Sequence, residues 1–344
     1  MDNKKTVLLM RLFIVTLVVL LLLSLTRLSF ADEPGYTISI QFENDFFGGG
    51  TDRHFTHGTR IELITKPIKW ITDAADKLPW FSAEKALYPP EDRWKARVSL
   101  SMGQNIYTPE DTVASQLILN DRPYAGWLYL GIGIVANQGS RRYDKLKLEV
   151  GIVGSGSRAM DVQNFWHSLL SLRVPNGWDN QLDNEPGAVL YYEQARRFDR
   201  KNVLFGLDVD VIPRFGGSLG NVFTYASIGI TTRLGPDLRN DFGPPRIRPS
   251  LPGGGYFRRK GGFNWYLFAG LEGRVVLQNI FLDGNTFTNS HSVDRKPFVG
   301  DIQGGLAIQY KRYRLSYTQI FRTKEFKEQN SADIFGSFSL SYQF

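Results

Sequence analysis

The sequence predicts an all-β protein, a transmembrane antiparallel up-and-down barrel of about twelve strands. Three observations predict it. A secretory-type segment opens the chain, and short stretches of period-two alternation recur through the rest. The last residues, Phe338-Ser339-Leu340-Ser341-Tyr342-Gln343-Phe344, alternate strictly and end on an aromatic. Lipid offers no hydrogen bonds to an open backbone, so a spanning chain without long apolar helices must close its sheet on itself.

Lys4 and Lys5 form a basic start, Leu12 to Thr26 an apolar run between Arg11 and Arg27, and Ser29-Phe30-Ala31 supplies small residues where a signal peptidase reads. The run is shorter than the roughly 20 residues of a spanning helix, so residues 1–31 read as a signal peptide cleaved after Ala31. The alternative is an uncleaved anchor. Cleavage removes four of the 41 basic and one of the 34 acidic residues, leaving a net charge near +4. No Lys/Arg stripe or recognised motif supports nucleic-acid binding. Cysteine is absent, which excludes disulfides, thiol nucleophiles and thiolate metal sites and suits an oxidising envelope.

Residues 32–344 then read as one barrel, with strands near 36–46, 56–66, 96–106, 126–137, 143–153, 187–197, 202–212, 222–233, 262–274, 298–310, 312–322 and 334–344. Val203 to Val211 and Lys145 to Val150 show the alternation most clearly. A soluble β-sandwich is the alternative that would also alternate; the signal peptide and this terminus together favour the barrel. An even count returns both ends to the periplasm. Loops 47–55, 107–125, 154–186, 213–221, 275–297 and 323–333 then face outside, while 67–95 and 234–261 face the periplasm.

Chemistry concentrates at the outward ends. Alternation places Glu43, Asp45, Thr56, Arg60 and Glu62 on the lumen face of the first two strands, and Asn44 toward lipid unless the strand twists or bulges. Carboxylates beside a hydroxyl can hold a hard cation through oxygen; a polar lumen lining is the competing reading. In the longest outside loop, Asp161 to Leu170 reads as a short amphipathic helix with Gln163 and His167 on one face, ended by Pro175-Asn176-Gly177. His167 is either a general base or an ordinary loop histidine. Gly216-Gly217-Ser218-Leu219-Gly220 matches the serine-hydrolase pattern, but between barrel strands it reads as turn residues rather than a nucleophile elbow.

An ordered set of motifs spans nearly the whole mature chain: Asn44-Asp45, Asp52-Arg53 with Thr56-x-Gly58, Gln104 to Pro109, Asp121 to Ala125, Gly151-x-Val153-Gly154, Val162-Gln163-Asn164 with His167, and Trp178 to Gln181. In these the chain resembles the lipid A 3′-O-deacylases of the outer membrane. The resemblance implies a twelve-stranded barrel that hydrolyses the ester carrying the 3′-linked acyloxyacyl group of lipid A, with calcium as cofactor. It implies His167 as the base that activates water, and Asn44, Asp45 and Thr56 as the other active-site members, supporting the metal and the oxyanion; Asp45 and Glu43 are the expected metal ligands. Arg173 stands where a member of the family has an active-site glutamate six positions after the histidine, with Asp183 or Glu185 as candidate substitutes. Glu110-Asp111 stands where a basic pair could meet lipid A phosphates.

The expected protein is an outer-membrane carboxylic ester hydrolase acting as a monomer, embedded in the membrane, on lipid A or lipopolysaccharide. The alternatives are an outer-leaflet phospholipase or other lipid esterase using the same rim, and a non-enzymatic porin-like barrel with an open lumen.

Overall fold

A computed structural model describes residues 35–47, 53–75, 77, 94–169, 171–238, 241–250, 253–258 and 262–344. The expected signal peptide lies outside them. Among the described residues, thirteen strands form one antiparallel sheet: β1 (Thr37–Asn44), β2 (His54–Ile64), β3 (Trp94–Thr108), β4 (Ala125–Gln138), β5 (Arg142–Val153), β6 (Glu185–Arg196), β7 (Phe198–Leu204), β8 (Leu207–Gly220), β9 (Phe223–Gly235), β10 (Phe263–Asn279), β11 (Phe298–Tyr310), β12 (Tyr313–Arg322) and β13 (Asp333–Gln343). β1 pairs with both β2 and β13, and β6 pairs with β8, so the sheet closes. β7 continues the line of β6 and pairs with the first half of β8, so the two share one stave of a twelve-stave barrel. No described helix is long and apolar enough to cross a membrane.

The expected single strand over 202–212 is therefore a hairpin. Phe205 (φ 49°) and Gly206 (φ 78°) turn the chain in the left-handed region, as two-residue hairpins require. Alternation runs across such a turn unbroken, which hides it from a periodicity reading. β8 then extends to Gly220, so the outside loop expected over 213–221 shrinks to Asn221 and Val222. The Gly216–Gly220 stretch lies within β8, with Ser218 Oγ donating to the Phe223 carbonyl, and forms no elbow.

The wall is apolar outside and charged inside. Met102, Leu130, Ile132 and Val150 are exposed on the outer face, while Arg60, Glu62, Lys145, Lys147 and Glu149 are buried in the lumen. That inversion is what a lipid-facing barrel needs. The seam is closed by Tyr36 and Phe344, whose backbones exchange two 2.9 Å hydrogen bonds and whose rings stack at 5.7 Å.

The connection between β9 and β10 departs from expectation. Instead of remaining at the periplasmic mouth, it folds back into the lumen. Glu43 accepts the Ile247 N–H at 2.8 Å and lies 3.7 Å from Arg246, which also reaches Asp301 at 3.6 Å. Arg248 meets Glu193 at 3.4 Å. Pro249 gives its carbonyl to Arg274 and Arg322 at 3.0 and 3.1 Å. Near the mouth, Phe242 and Tyr256 pack with Tyr143, Ala195 and Ile212. Buried charges are tolerated only when paired, and this Pro- and Arg-rich segment adds partners to pairs the wall makes itself, Arg214 with Glu193 and Arg274 and Arg322 with Asp301. It has no helix or strand period, so sequence alone reads it as a loop. On the connection between β2 and β3, α1 (Lys69–Ala75) seats Ile71 against Trp94, Ala96 and Ala136.

Candidate active site at the outer rim

The outward end of the barrel carries Asn44, Asp45, Thr56 and His167 of the sequence-predicted site residues, while Glu43 turns into the lumen. β1 ends in a 3-10 turn over Asp45–Phe47 that bends onto the outer face, where Phe47 packs edge-on against Phe338 at 5.1 Å. Asn44 does face outward. It lies opposite His57 on β2, and both share the outer face with Phe42, Thr59 and Ile61 by alternation.

A β-bulge answers the question of where Thr56 points. Phe55 pairs with Tyr107 and His57 with Ile106, so Thr56 is an extra residue in β2. Its side chain is buried, and its hydroxyl lies 2.7 Å from that of Thr108. Thr108 shares a face with Ile106, Gln104 and the exposed Met102, so Thr56 belongs to the outer face rather than to the lumen face expected for it. Asn44 clasps the bulge: its Nδ2 donates to the Thr56 carbonyl at 2.6 Å, and its Oδ1 accepts the Phe46 N–H at 2.8 Å. Asp45 is buried, with Oδ2 accepting the Arg53 N–H at 2.5 Å. Asn44, Asp45 and Thr56 thus form one corner. Glu43 does turn inward, and its carboxylate is engaged by the lumenal segment.

The helix expected over 161–170 spans Ala159–Leu169 (α2) and buries Ala159, Gln163 and His167 along one stripe. It lies on the outer wall. Ala159 and Val162 pack with Ile106, Tyr124 and Trp178, and a Cβ built on Gly126 would come within 1.9 Å of Ser157 Oγ and 2.4 Å of Ala159 Cβ. Gln104 Nε2 donates to the Ser157 carbonyl at 2.6 Å, and Trp178 Nε1 to Gln163 Oε1 at 2.9 Å. These are motif residues singled out in the sequence, and their work is to seat the helix across β3 and β4. Ile106, on which it rests, is the register partner of His57.

His167 Nδ1 lies 2.6 Å from the Arg173 carbonyl. A carbonyl only accepts, so Nδ1 carries the proton and the neutral ring keeps its basic lone pair on Nε2. The orienting group that an acidic side chain could supply is here the backbone of Arg173. Glu185 does not substitute. Its carboxylate accepts from Thr286 N at 2.8 Å, Asn285 Nδ2 at 3.1 Å and Asn221 Nδ2 at 3.0 Å, tying down a different loop. Asp183 meets Thr288 there.

His54 is held elsewhere. Its Nδ1 lies 2.7 Å from Asp333 and its Nε2 3.8 Å from Asp121. Arg53 reaches Glu110, and donates to Ser331 Oγ at 2.6 Å. Hydrogen bonds from Asn330 and Arg53 hold the Glu110 carboxyl below the usual range. Asp111 caps the Val113 N–H at 2.9 Å. Glu110 and Asp111 thus organise the outer loops, and sequence reasoning had no signal for these partners.

The family model for outer membrane protein LpxR matches residues 14–344. The fold is similar to that of LpxR from Salmonella typhimurium, with a TM-score of 0.72 and 20% identity over 90% of this chain and 100% of that one. The β domain of the Bordetella autotransporter BrkA gives a TM-score of 0.43 and 12% identity, over 91% of this chain and 99% of that one. No curated protein matches the sequence. With nearly its whole length matched, the chain belongs to the LpxR family of outer membrane proteins.

Proposed function

We propose that the protein is an outer-membrane esterase that removes the 3′-linked acyloxyacyl group of lipid A by direct attack of water. The observation that carries this reading is the placement of α2. It sets His167, with Nε2 as the basic nitrogen, against the same lipid-facing wall whose neighbouring strands carry the Asn44–Asp45–Thr56 corner. Chemistry at that position meets a lipid headgroup from the side, without entry into the lumen.

In the reaction, His167 Nε2 takes a proton from water as the water oxygen bonds to the ester carbonyl carbon. The tetrahedral intermediate then collapses, the sugar 3′-oxygen leaves with that proton, and the acyloxyacyl chain departs as a carboxylic acid. Asp45 is a buried carboxylate of the hard-donor class that calcium takes. Among the described residues no group of three His, Asp or Glu side chains forms a cage, so its further ligands would be carbonyl, hydroxyl or water oxygens. Of the two expected carboxylate ligands, Asp45 is the one at the rim, and Glu43 serves the lumenal segment. Bound there, calcium would supply positive charge for the developing oxyanion.

The filled lumen speaks against the porin alternative, because ion-paired chain crosses the path that a pore would use. Paired assays separate the lipid A and phospholipid readings. Purified protein in mixed micelles is expected to release acid from lipid A and leave phospholipid intact; phospholipid hydrolysis with untouched lipid A would overturn the assignment.

A further inference from the structure

We infer that His57 is a positioning residue of this site, which sets the Asn44 amide and through it the Thr56 bulge. The inference rests on the esterase reading for its catalytic meaning and on hydrogen-bond chemistry for its geometry. Asn44 Oδ1 receives a backbone N–H and Nδ2 gives to a backbone carbonyl, at 2.8 and 2.6 Å. Neither partner can exchange roles, so the orientation of the amide is fixed by chemistry. His57 Nδ1 lies 3.5 Å from that same Nδ2. An amide nitrogen can only donate, so Nδ1 must be the acceptor.

The other ring nitrogen agrees. In the neutral ring an accepting Nδ1 leaves the proton on Nε2, and Nε2 lies 2.6 Å from Thr59 Oγ1, which can accept it. Phe42 packs beside the ring at 6.5 Å. The groups around His57 are therefore Asn44 and Phe42 on β1, Ile106 on β3 and Thr59 on its own strand, none of them charged; Asp45 and His167 are the titratable groups of the adjoining corner and helix. The histidine thus has the tautomer opposite to that of His167: His57 presents its lone pair at Nδ1 to the corner, whereas His167 presents Nε2.

The pair Asn44–His57 spans β1 and β2 just below the bulge, where the clasp decides how Thr56 and Asp45 stand toward substrate. A loosened clasp misaligns the transition state more than it weakens lipid binding, so the loss appears in kcat. His57→Phe, which keeps bulk and removes the acceptor, is expected to lower kcat about tenfold with KM unchanged, the scale of one lost orienting hydrogen bond. His57→Gln, which keeps an acceptor and a donor, is expected to restore most of it. Wild-type kcat in His57→Phe, or equal losses in both variants, would overturn the assignment.

A second measurement needs no turnover. Nitrogen-15 NMR of histidine-labelled wild-type protein above pH 8, with the His57 signals identified by their loss in His57→Gln, is expected to show an unprotonated Nδ1 and a protonated Nε2. A neutral ring with the proton on Nδ1 would overturn the positioning role, whatever lipid the protein hydrolyses. Absence of any hydrolysis by wild-type protein would instead defeat the esterase reading, and the tautomer would still decide whether His57 holds Asn44.

Discussion

Glu43 and Asn44 are neighbours in β1 and work on opposite faces of the wall. Glu43 accepts the Ile247 N–H inside the lumen at 2.8 Å, and Asn44 donates to the Thr56 carbonyl on the outer face at 2.6 Å. One strand end thus anchors the filling of the barrel and the corner of the candidate site. Period-two geometry makes this possible, since adjacent residues must face opposite ways.

The inner half of that relationship is testable through stability. Glu43→Ala leaves the Ile247 N–H without its carboxylate and Arg246 with Asp301 and Gln303. Breaking a buried pair from one side costs about 3 kcal/mol. Thermal unfolding in detergent is expected to shift down by the corresponding amount, and an unchanged midpoint would show that the lumenal segment is held by other contacts.

The same segment gives a pH dependence. Burial alone would raise the Asp241 carboxyl, but Arg233 and Arg314 outweigh it and hold the group below the usual carboxylate range. A lowered native value means that its contribution is complete above the unfolded value of about 3.9 and is lost as pH falls below it. Unfolding midpoints measured from pH 7 down to pH 2 should therefore decline most steeply below about pH 4. Asp241→Asn should flatten that decline; an identical acid profile would contradict it.

On the outer face, Gly126 is the sharpest steric test. Any Cβ there collides with Ser157 and Ala159 at the root of α2. Gly126→Val is expected to displace the helix and remove lipid A hydrolysis, while the barrel keeps its heat-modifiable migration on gels. Retained activity would mean that α2 does not need its seat on β4.

Much of this architecture was legible in the sequence. Strand alternation gave a twelve-stave barrel, and Gln163 with His167 gave a helix that the structure extends by two residues at its start. The bulge at Thr56 was not legible, because one extra residue leaves no periodic trace in a strand so polar. Nor was the turn at Phe205-Gly206, whose flanks alternate in phase. The lumenal course of Arg246, Ile247 and Arg248 depends on charges 55 to 204 residues away in the chain, among them Glu43, Glu193 and Asp301, and no local pattern encodes such pairing.

Calcium dependence is a further expectation. Chelation should suppress hydrolysis, added calcium should restore it, and Asp45→Asn should abolish release at any calcium concentration used to saturate the wild type. Full activity in chelator would show that Asp45 acts without a metal.

The most direct measurement is mass spectrometry of lipid A and released acid after turnover in oxygen-18 water. Wild-type protein is expected to release the acyloxyacyl acid with one oxygen-18 in its carboxyl group and to leave the sugar 3′-hydroxyl unlabelled. His167→Ala, folded and in the membrane, should release about 10²- to 10⁴-fold less, the contribution of a general base. Undiminished release by His167→Ala, or label in the sugar hydroxyl, would contradict the account.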